Sequence, residues 1–283
     1  MANNIELFKE YIDLLDEVYM NASTSASLDG ANELVTKGAN AGELVIPVMT
    51  MDGLSDYDRA TGYVDGDVTL TFETKKADYD RGKAFTVDDM DNVETAGLAF
   101  GQLAAEFIRT KVVPEVDAYR YAKYAKNAKN ASTGTLATGA AVIEALRKAS
   151  NAMDEAEVPV EGRELRITPT LKGMIEDLDT TKSKAVLAKF SNIIAVPQKR
   201  FNTKVTLGAN GFTLDGSDIN FLITHKGAVI QHDKHVVSKV ISPQENQTAD
   251  AWKFAYRNYA IAEVYDNKKD GIYVHSVEAV PAE

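Results

Sequence analysis

One segment constrains this chain more than any other. DNVETAGLAFGQLAAEFIRTK, residues 91–111, carries Val93, Ala96, Phe100, Leu103, Phe107 and Ile108 at spacings of three and four, one face of an α-helix. Asp91 and Glu94 stand in capping-box spacing at its start. From Asn92 to Lys111 such a helix is about 30 Å long, as wide as a small domain. Pro114 is expected to kink or end it, and the pattern resumes with Val116, Tyr119, Tyr121 and Tyr124. The prediction is one long rod with a break, longer than an average globular helix.

The segment just before it is of the opposite kind. TLTFETKKADYDRGKAFTVDD, residues 69–89, reads as two strands and a turn at Gly82, a hairpin with little to bury. Val68, Leu70 and Phe72 fall on one face of the first arm, and the return arm offers Phe85 and Val87. Lys75, Lys76, Asp78, Asp80, Arg81 and Lys83 lie between them. A lone two-stranded hairpin is marginal in water. Either a core behind it or another subunit must complete it.

Upstream, residues 4–20 form an amphipathic helical pattern with Ile5, Phe8, Ile12, Leu15 and Tyr19 on one face. Glu6, Glu10, Asp13, Asp16 and Glu17 give it an acidic excess over Lys9. STSASLDGANELVTKGANAGEL then reads as a flexible arm, and GELVIPVMTMDGL as a strand ending near Pro47. Downstream, TGAAVIEALRKASNAMDEAEVP is a helix ending before Pro159. RELRITPTLKGMIED is a strand, a turn at Pro169 and a short helix. SNIIAVPQKRF, DINFLITHKGAVIQ and HVVSKVISP read as strands, and the last block as two strands joined at Asn267–Gly271. There is no internal repeat and no βαβ regularity, which points to the α+β class.

Composition narrows the function classes. The 283 residues suffice for one large domain or two modest ones, and 45 % hydrophobic with 26 % charged content is that of a soluble globular chain. Without cysteine there is no disulfide, thiolate metal site or thiol nucleophile. No apolar run approaches the roughly 20 residues that span a bilayer. The N-terminus has no secretory pattern, which leaves the sequons at Asn21, Asn130 and Asn246 without meaning. A net charge of −11 argues against nucleic-acid binding by the chain as a whole.

The search for chemistry returns little. His232 and His235 would point to opposite faces of a strand and are read as solvated surface. Asp88, Asp89 and Asp91 are better explained as a capped helix start than as a carboxylate cluster. GANGF at residues 208–212 is a loop rather than a phosphate cradle, and no nucleotide or hydrolase motif occurs. Lys123, Lys126 and Lys129 recur every three residues; they could face a polyanion such as DNA, against a solvated helix end. Tyr119, Tyr121 and Tyr124 could stack ligands but read as packing. No catalytic, cofactor-binding or metal-binding residue emerges, and a structural role is expected rather than an enzyme.

The order of parts carries a resemblance. A flexible N-terminal arm, a polar two-stranded extension, a long helix straight after it, a mixed block and closing strands resemble tailed-phage major capsid proteins of the HK97 type. FTVDDMDNVETAGLAFGQLAAEFIRTKVVPEVDAYRYAKYA looks like the same region of many such proteins. The resemblance implies an N-terminal arm at 1–44 and an extended loop at 58–90. It implies a peripheral domain with its spine helix at 45–57, 91–130 and 235–265, and an axial domain at 131–234 and 266–283. It implies that Leu70, Phe72, Lys75, Lys76, Arg81, Lys83 and Phe85 of the loop, and Ile5, Phe8, Ile12 and Leu15 of the arm, meet neighbouring subunits. It implies self-assembly into hexamers and pentamers of an icosahedral shell around double-stranded DNA, in the virion, after assembly in the host bacterial cytoplasm.

The expected partners are further copies of the chain, a separate scaffolding protein and a portal protein, with no cofactor and no membrane. About 44 residues precede the first strand, too few for a built-in scaffolding region. Some relatives link a loop lysine to an asparagine; Lys75, Lys76 and Lys83, with Asn258 and Asn267 near Glu263, select no pair, and no crosslink is expected. The alternatives are an encapsulin-type compartment shell, an α+β enzyme, and a monomeric binding module, which the uncompleted hairpin counts against.

Overall fold

The structure, a computed structural model, describes residues 22–29, 36–37, 43–57, 59, 62–94, 98–178 and 180–280. Two compact units emerge: a small one, Ala31–Asp78, and a large one, Met1–Gly30 with Tyr79–Glu283. The expected N-terminal helix, with Ile5, Phe8, Ile12 and Leu15, lies outside the described residues.

The small unit is a three-stranded antiparallel sheet of β1 (Thr36–Lys37), β2 (Glu43–Met51) and β3 (Val68–Lys76), in that order. The long pair is β2 with β3, in a register that sets Pro47 opposite Phe72, Met49 opposite Leu70 and Met51 opposite Val68. This corrects the expected hairpin. β3 does not pair with the next strand, β4 (Tyr79–Asp88), which joins the large unit instead. Gly82 is not a turn but the interior of β4, opposite Arg257, where a Cβ would come within 2.8 Å of the Tyr256 carbonyl oxygen. Only Ala77 and Asp78 separate β3 from β4. A two-residue hairpin turn calls for positive-φ residues such as Asn-Gly, which this link lacks. Alternation gives a strand's faces, not its partner. The strand GELVIPVMTMDGL does not end near Pro47 either; it runs on to Met51.

The large unit has two layered halves. Its remaining strands are β5 (Asn130–Thr133), β6 (Arg163–Ile167), β7 (Asn192–Ala195), β8 (Val205–Gly208), β9 (Gly211–Leu214), β10 (Ile219–His225), β11 (Val229–Ile241), β12 (Ala251–Val264) and β13 (Ile272–Ser276). In the first half β11, β12 and β4 form an antiparallel sheet on which the long helix packs. That helix runs from Leu98–Phe107 through a π turn, Ile108–Val112, into Val113–Asn127. The break expected at Pro114 is this π turn: helix direction continues past a proline that cannot donate, because the wide turn comes just before it. Before it a short helix, Asp89–Glu94, follows Asp88, whose carboxylate accepts from the Met90 N–H at 3.0 Å.

In the second half the five-stranded sheet β5-β13-β10-β6-β7 is covered by helices Gly139–Glu155, Pro169–Glu176 and Thr181–Leu187. Every residue of its strands β6 and β13 is buried, as central strands covered on both faces require. Thr138 caps the first helix by accepting from the Ala141 N–H, and Pro169 opens the second at a position needing no donor.

Candidate assembly surface

Among the described residues, the apolar face of β2 and β3 is an open surface. Within the small unit, Met49, Met51, Val68, Leu70 and Phe72 are 54, 67, 66, 49 and 62 % exposed. The register gathers them, with Pro47, onto one side of the strand pair. A nine-residue pair is about 30 Å long, so these side chains make a stripe and not scattered spots. Beyond Met51, Leu54, Tyr57, Tyr63 and Val64 are also exposed, with the two tyrosine rings 5.0 Å apart. Asp52, Asp56, Asp65 and Asp67 surround them with negative charge. Leu70 and Phe72 therefore lie where the sequence put them, on an open face. Lys75 is 3.8 Å from Glu73, and Lys76 is exposed.

The other loop residues singled out in the sequence lie in the large unit and are spent there. Arg81 donates to both oxygens of Glu115, at 2.8 and 3.3 Å, and to the carbonyls of Gly208 and Gly211. Lys83 donates to Asn210, and Phe85 packs edge-on against Phe107 with centroids 4.7 Å apart. Tyr79 is buried and donates to Glu115; burial, and next the charge of Glu115, hold its phenol far above the usual range. These contacts root β4 in the body.

The expectation of a flexible arm from Ser23 also needs correction. Ser23–Asp29 is tied down by a buried polar network on the long helix. Fully buried Asp117 accepts from the hydroxyls of Ser23, Thr24 and Ser25 at 2.8, 2.8 and 2.6 Å, and from Arg200 at 2.9 Å. Buried Arg120 donates to Ser25 and Asp233, and Tyr121 to Thr24. Arg166 and Glu164 share Ser27, and Leu28 enters the core at 1 % exposure. Ser, Thr and Asp composition reads as a linker, but the same groups satisfy buried charges when acceptors and donors face them. The signal that could have revealed this was the pairing of a hydroxyl-rich segment with Asp117 and Arg120 on an otherwise apolar helix face.

Lys123 is 3.2 Å from Glu263 and Lys129 2.8 Å from Asp270, so two of the three lysines considered for a polyanion are neutralised within the chain. His232 and His235 do not oppose each other as expected. A bulge between Asp233 and His235 shifts the register, setting His232 opposite Ile261 and His235 opposite Tyr259 on one face. Among the described residues, no three His, Asp or Glu side chains are grouped to hold a metal ion. Among the described residues, no helix is long and apolar enough to cross a membrane.

Neither a protein-family model nor a curated protein sequence matches the chain. Solved structures do. The asymmetric unit of the bacteriophage PhiM1 mature capsid aligns with a TM-score of 0.62 at 13 % identity, covering 85 % of this chain and 83 % of that one. A structure from Mycobacterium phage Che8 gives 0.60 at 15 % identity over 83 % and 85 %. A virus-like particle from Pyrococcus furiosus gives 0.56 at 12 % identity over 95 % and 99 %. The chain has the HK97-type fold of tailed-phage capsid subunits, as the order of its parts implied.

Proposed function

We propose that the chain is a shell subunit, the major capsid protein of a tailed phage, which assembles into hexamers and pentamers around double-stranded DNA. One observation carries this beyond the fold: the stripe of Met49, Met51, Leu70 and Phe72 stands open within its unit. Soluble monomers rarely expose such contiguous apolar patches, and their presence marks an association surface. The arm of β2 and β3 is then the extended loop that lies on a neighbouring copy, shifted from the 58–90 segment to residues 43–76. The long helix with the β11-β12-β4 sheet serves as the peripheral domain, and the five-stranded half as the axial domain. Many weak contacts closing one shell give strong overall binding. An acidic subunit, with net charge −11, holds packed DNA loosely. A scaffolding protein and a portal complete the assembly, which takes place in the host cytoplasm.

A second reading has its own observation. The Pyrococcus furiosus virus-like particle aligns with nearly the whole of both chains, which speaks for a cellular compartment shell of the same fold. Electron microscopy of the purified, concentrated chain, alone and with a scaffolding protein, tests both. Closed particles of uniform size are expected. Nuclease-protected DNA in particles from infected cells favours the capsid, and enclosed protein favours the compartment. A chain that stays monomeric under all these conditions overturns the proposal.

A further inference from the structure

Asn210 is the only asparagine of the chain that a glycine follows. The pair stands at the tip of the β8–β9 hairpin, where Ala209 and Asn210 make the turn and Gly208 pairs with Gly211. Tight hairpins place residues at positive φ. Here neither turn residue supplies it; Gly211 does, at +132°. Backbone geometry thus calls for the glycine, and the Asn210 amide is left beside a main-chain nitrogen that no following side chain shields. A Cβ at Gly211 would meet nothing within 4 Å, so that side of the main chain is open.

Asn210 itself is exposed. Its amide has one hydrogen bond among the described residues, from Nζ of Lys83 to Oδ1 at 3.3 Å. Other asparagines are held more firmly. Asn202, 2 % exposed, accepts from the Lys204 and Gly216 N–H groups and donates to the Gly216 carbonyl and to Asp218. Asn220 donates to the Gly134 carbonyl. Such contacts hold an amide in one rotamer, whereas the Asn210 amide is restrained by the lysine alone. Arg81 meanwhile pins the turn, donating to the carbonyls of Gly208 and Gly211 at 2.7 and 3.3 Å.

We propose that Asn210–Gly211 is a self-modifying site, at which a neutral amide converts to a carboxylate held by Lys83. The Gly211 nitrogen gives its proton to water and attacks Cγ of Asn210. The N–Cγ bond forms, the Cγ–Nδ2 bond breaks, and Nδ2 leaves as ammonia. The product is a five-membered succinimide. Water then opens the ring at one of its two carbonyls, giving aspartate or β-linked isoaspartate. Nothing is oxidised or reduced: amide and water become carboxylate and ammonium. Two features of the turn favour the reaction. Nucleophile and electrophile belong to adjacent residues, so the attack is intramolecular. Nζ of Lys83 lies where negative charge builds on Oδ1, as a donor in an oxyanion hole does. The same ammonium then faces the new carboxylate. Each conversion makes the chain one charge more negative than −11, and isoaspartate lengthens the main chain at the hairpin tip by one carbon. The inference rests on the large unit alone and holds whether or not the chain builds a shell.

The test is prolonged incubation of the purified full-length chain at neutral and mildly alkaline pH, read by peptide mass spectrometry. Residue 210 is expected to gain the mass difference between amide and acid roughly tenfold faster than any other asparagine, and faster still at alkaline pH. Isoaspartyl methyltransferase should label the peptide that carries it, because the succinimide route yields isoaspartate and direct hydrolysis does not. Lys83→Met should slow the conversion about threefold, Lys83→Arg should restore it, and Asn210→Gln should abolish it. An amide at residue 210 still intact when a free peptide of residues 205–214 has converted would overturn the inference. Aspartate without isoaspartate, or an unchanged rate in Lys83→Met, would overturn it too.

Discussion

In the large unit β12 buries Phe254 completely, in edge-on contact with Phe107 of the long helix; in the small unit β3 leaves Phe72 62 % exposed. Both are phenylalanines on antiparallel strands with a regular partner, at Phe85 in one case and Pro47 in the other. The backbone ladders are alike; what differs is the layer above. The β11-β12-β4 sheet has a helix across it and closes a core. The stripe-bearing face of the β2-β3 pair is left open, although Ile46 on the opposite face is buried. A sheet face that alternates correctly and is still uncovered in its own unit calls for a second molecule. The difference separates residues that decide whether the chain folds from residues that decide whether it associates.

The comparison breaks first where a body residue is truncated. Phe254→Ala should cost about 3–5 kcal/mol of subunit stability, seen as a lowered denaturation midpoint with unchanged slope. Next comes the polar root of the N-terminal segment. Asp117→Asn keeps the shape but loses the charge that faces Arg200 and three hydroxyls. Hydrogen bonds to a buried charge are worth about 1.5–3 kcal/mol each, so a loss of about that size is expected, with increased proteolysis at Ser23–Asp29. A neutral result would mean that this segment is not held by the helix.

These two sites also mark how far the sequence could be read. The long helix was legible because its apolar positions repeat locally, and the α+β class followed from the mixture of periods. The exposed face of Leu70 and Phe72 was legible for the same reason. The partner of β3 was not. Pairing joins Leu70 to Met49 across a loop of 16 residues, and Phe85 to Phe254 across most of the chain. Alternation is blind to such distances, which is why Gly82 looked like a turn when it is a close-approach site in a strand. Likewise Ser23, Thr24 and Ser25 look like linker until Asp117, over 90 positions away, is brought against them. Removing Thr74–Lys83 would take Tyr79 out of the core, so a trimmed loop should instead lose residues 53–66 between β2 and β3.

Acid sharpens the contrast from the body's side alone. His275 is buried in β13, with Nδ1 3.0 Å from the Asn220 amide nitrogen, and burial holds its pKa below the ordinary 6.5. Burial lowers His225 as well, against the opposing pull of the Glu161 carbonyl. The unfolded chain takes up these protons at about 6.5 and the folded chain only at lower pH. Stability is thus complete above pH 6.5 and falls as pH drops from there through the folded values. Asp29 has the opposite sign, since burial raises its pKa despite Arg120, but it acts nearer the carboxylate range. His275→Gln should flatten the loss just below pH 6.5, measured by denaturant midpoint. A slope unchanged in this variant would assign the effect elsewhere.

The smallest effect on the folded subunit is expected on the arm, and it is the most informative. Met49→Ser, Leu70→Ser and Phe72→Ser together keep the β2-β3 backbone register and remove the exposed stripe. Because these side chains are already 49–62 % exposed, subunit stability should change by less than about 0.5 kcal/mol for each. Association should respond very differently. Full burial of a large apolar side chain contributes about 1.5–3 kcal/mol, so three lost at every contact should abolish particle formation. The paired measurement is denaturant unfolding of the dissociated subunit beside particle yield by electron microscopy. Normal particles from the triple variant would show that the stripe is not the contact. A loss of several kcal/mol in the subunit would show that the stripe packs on its own chain, and the contrast between arm and body would disappear.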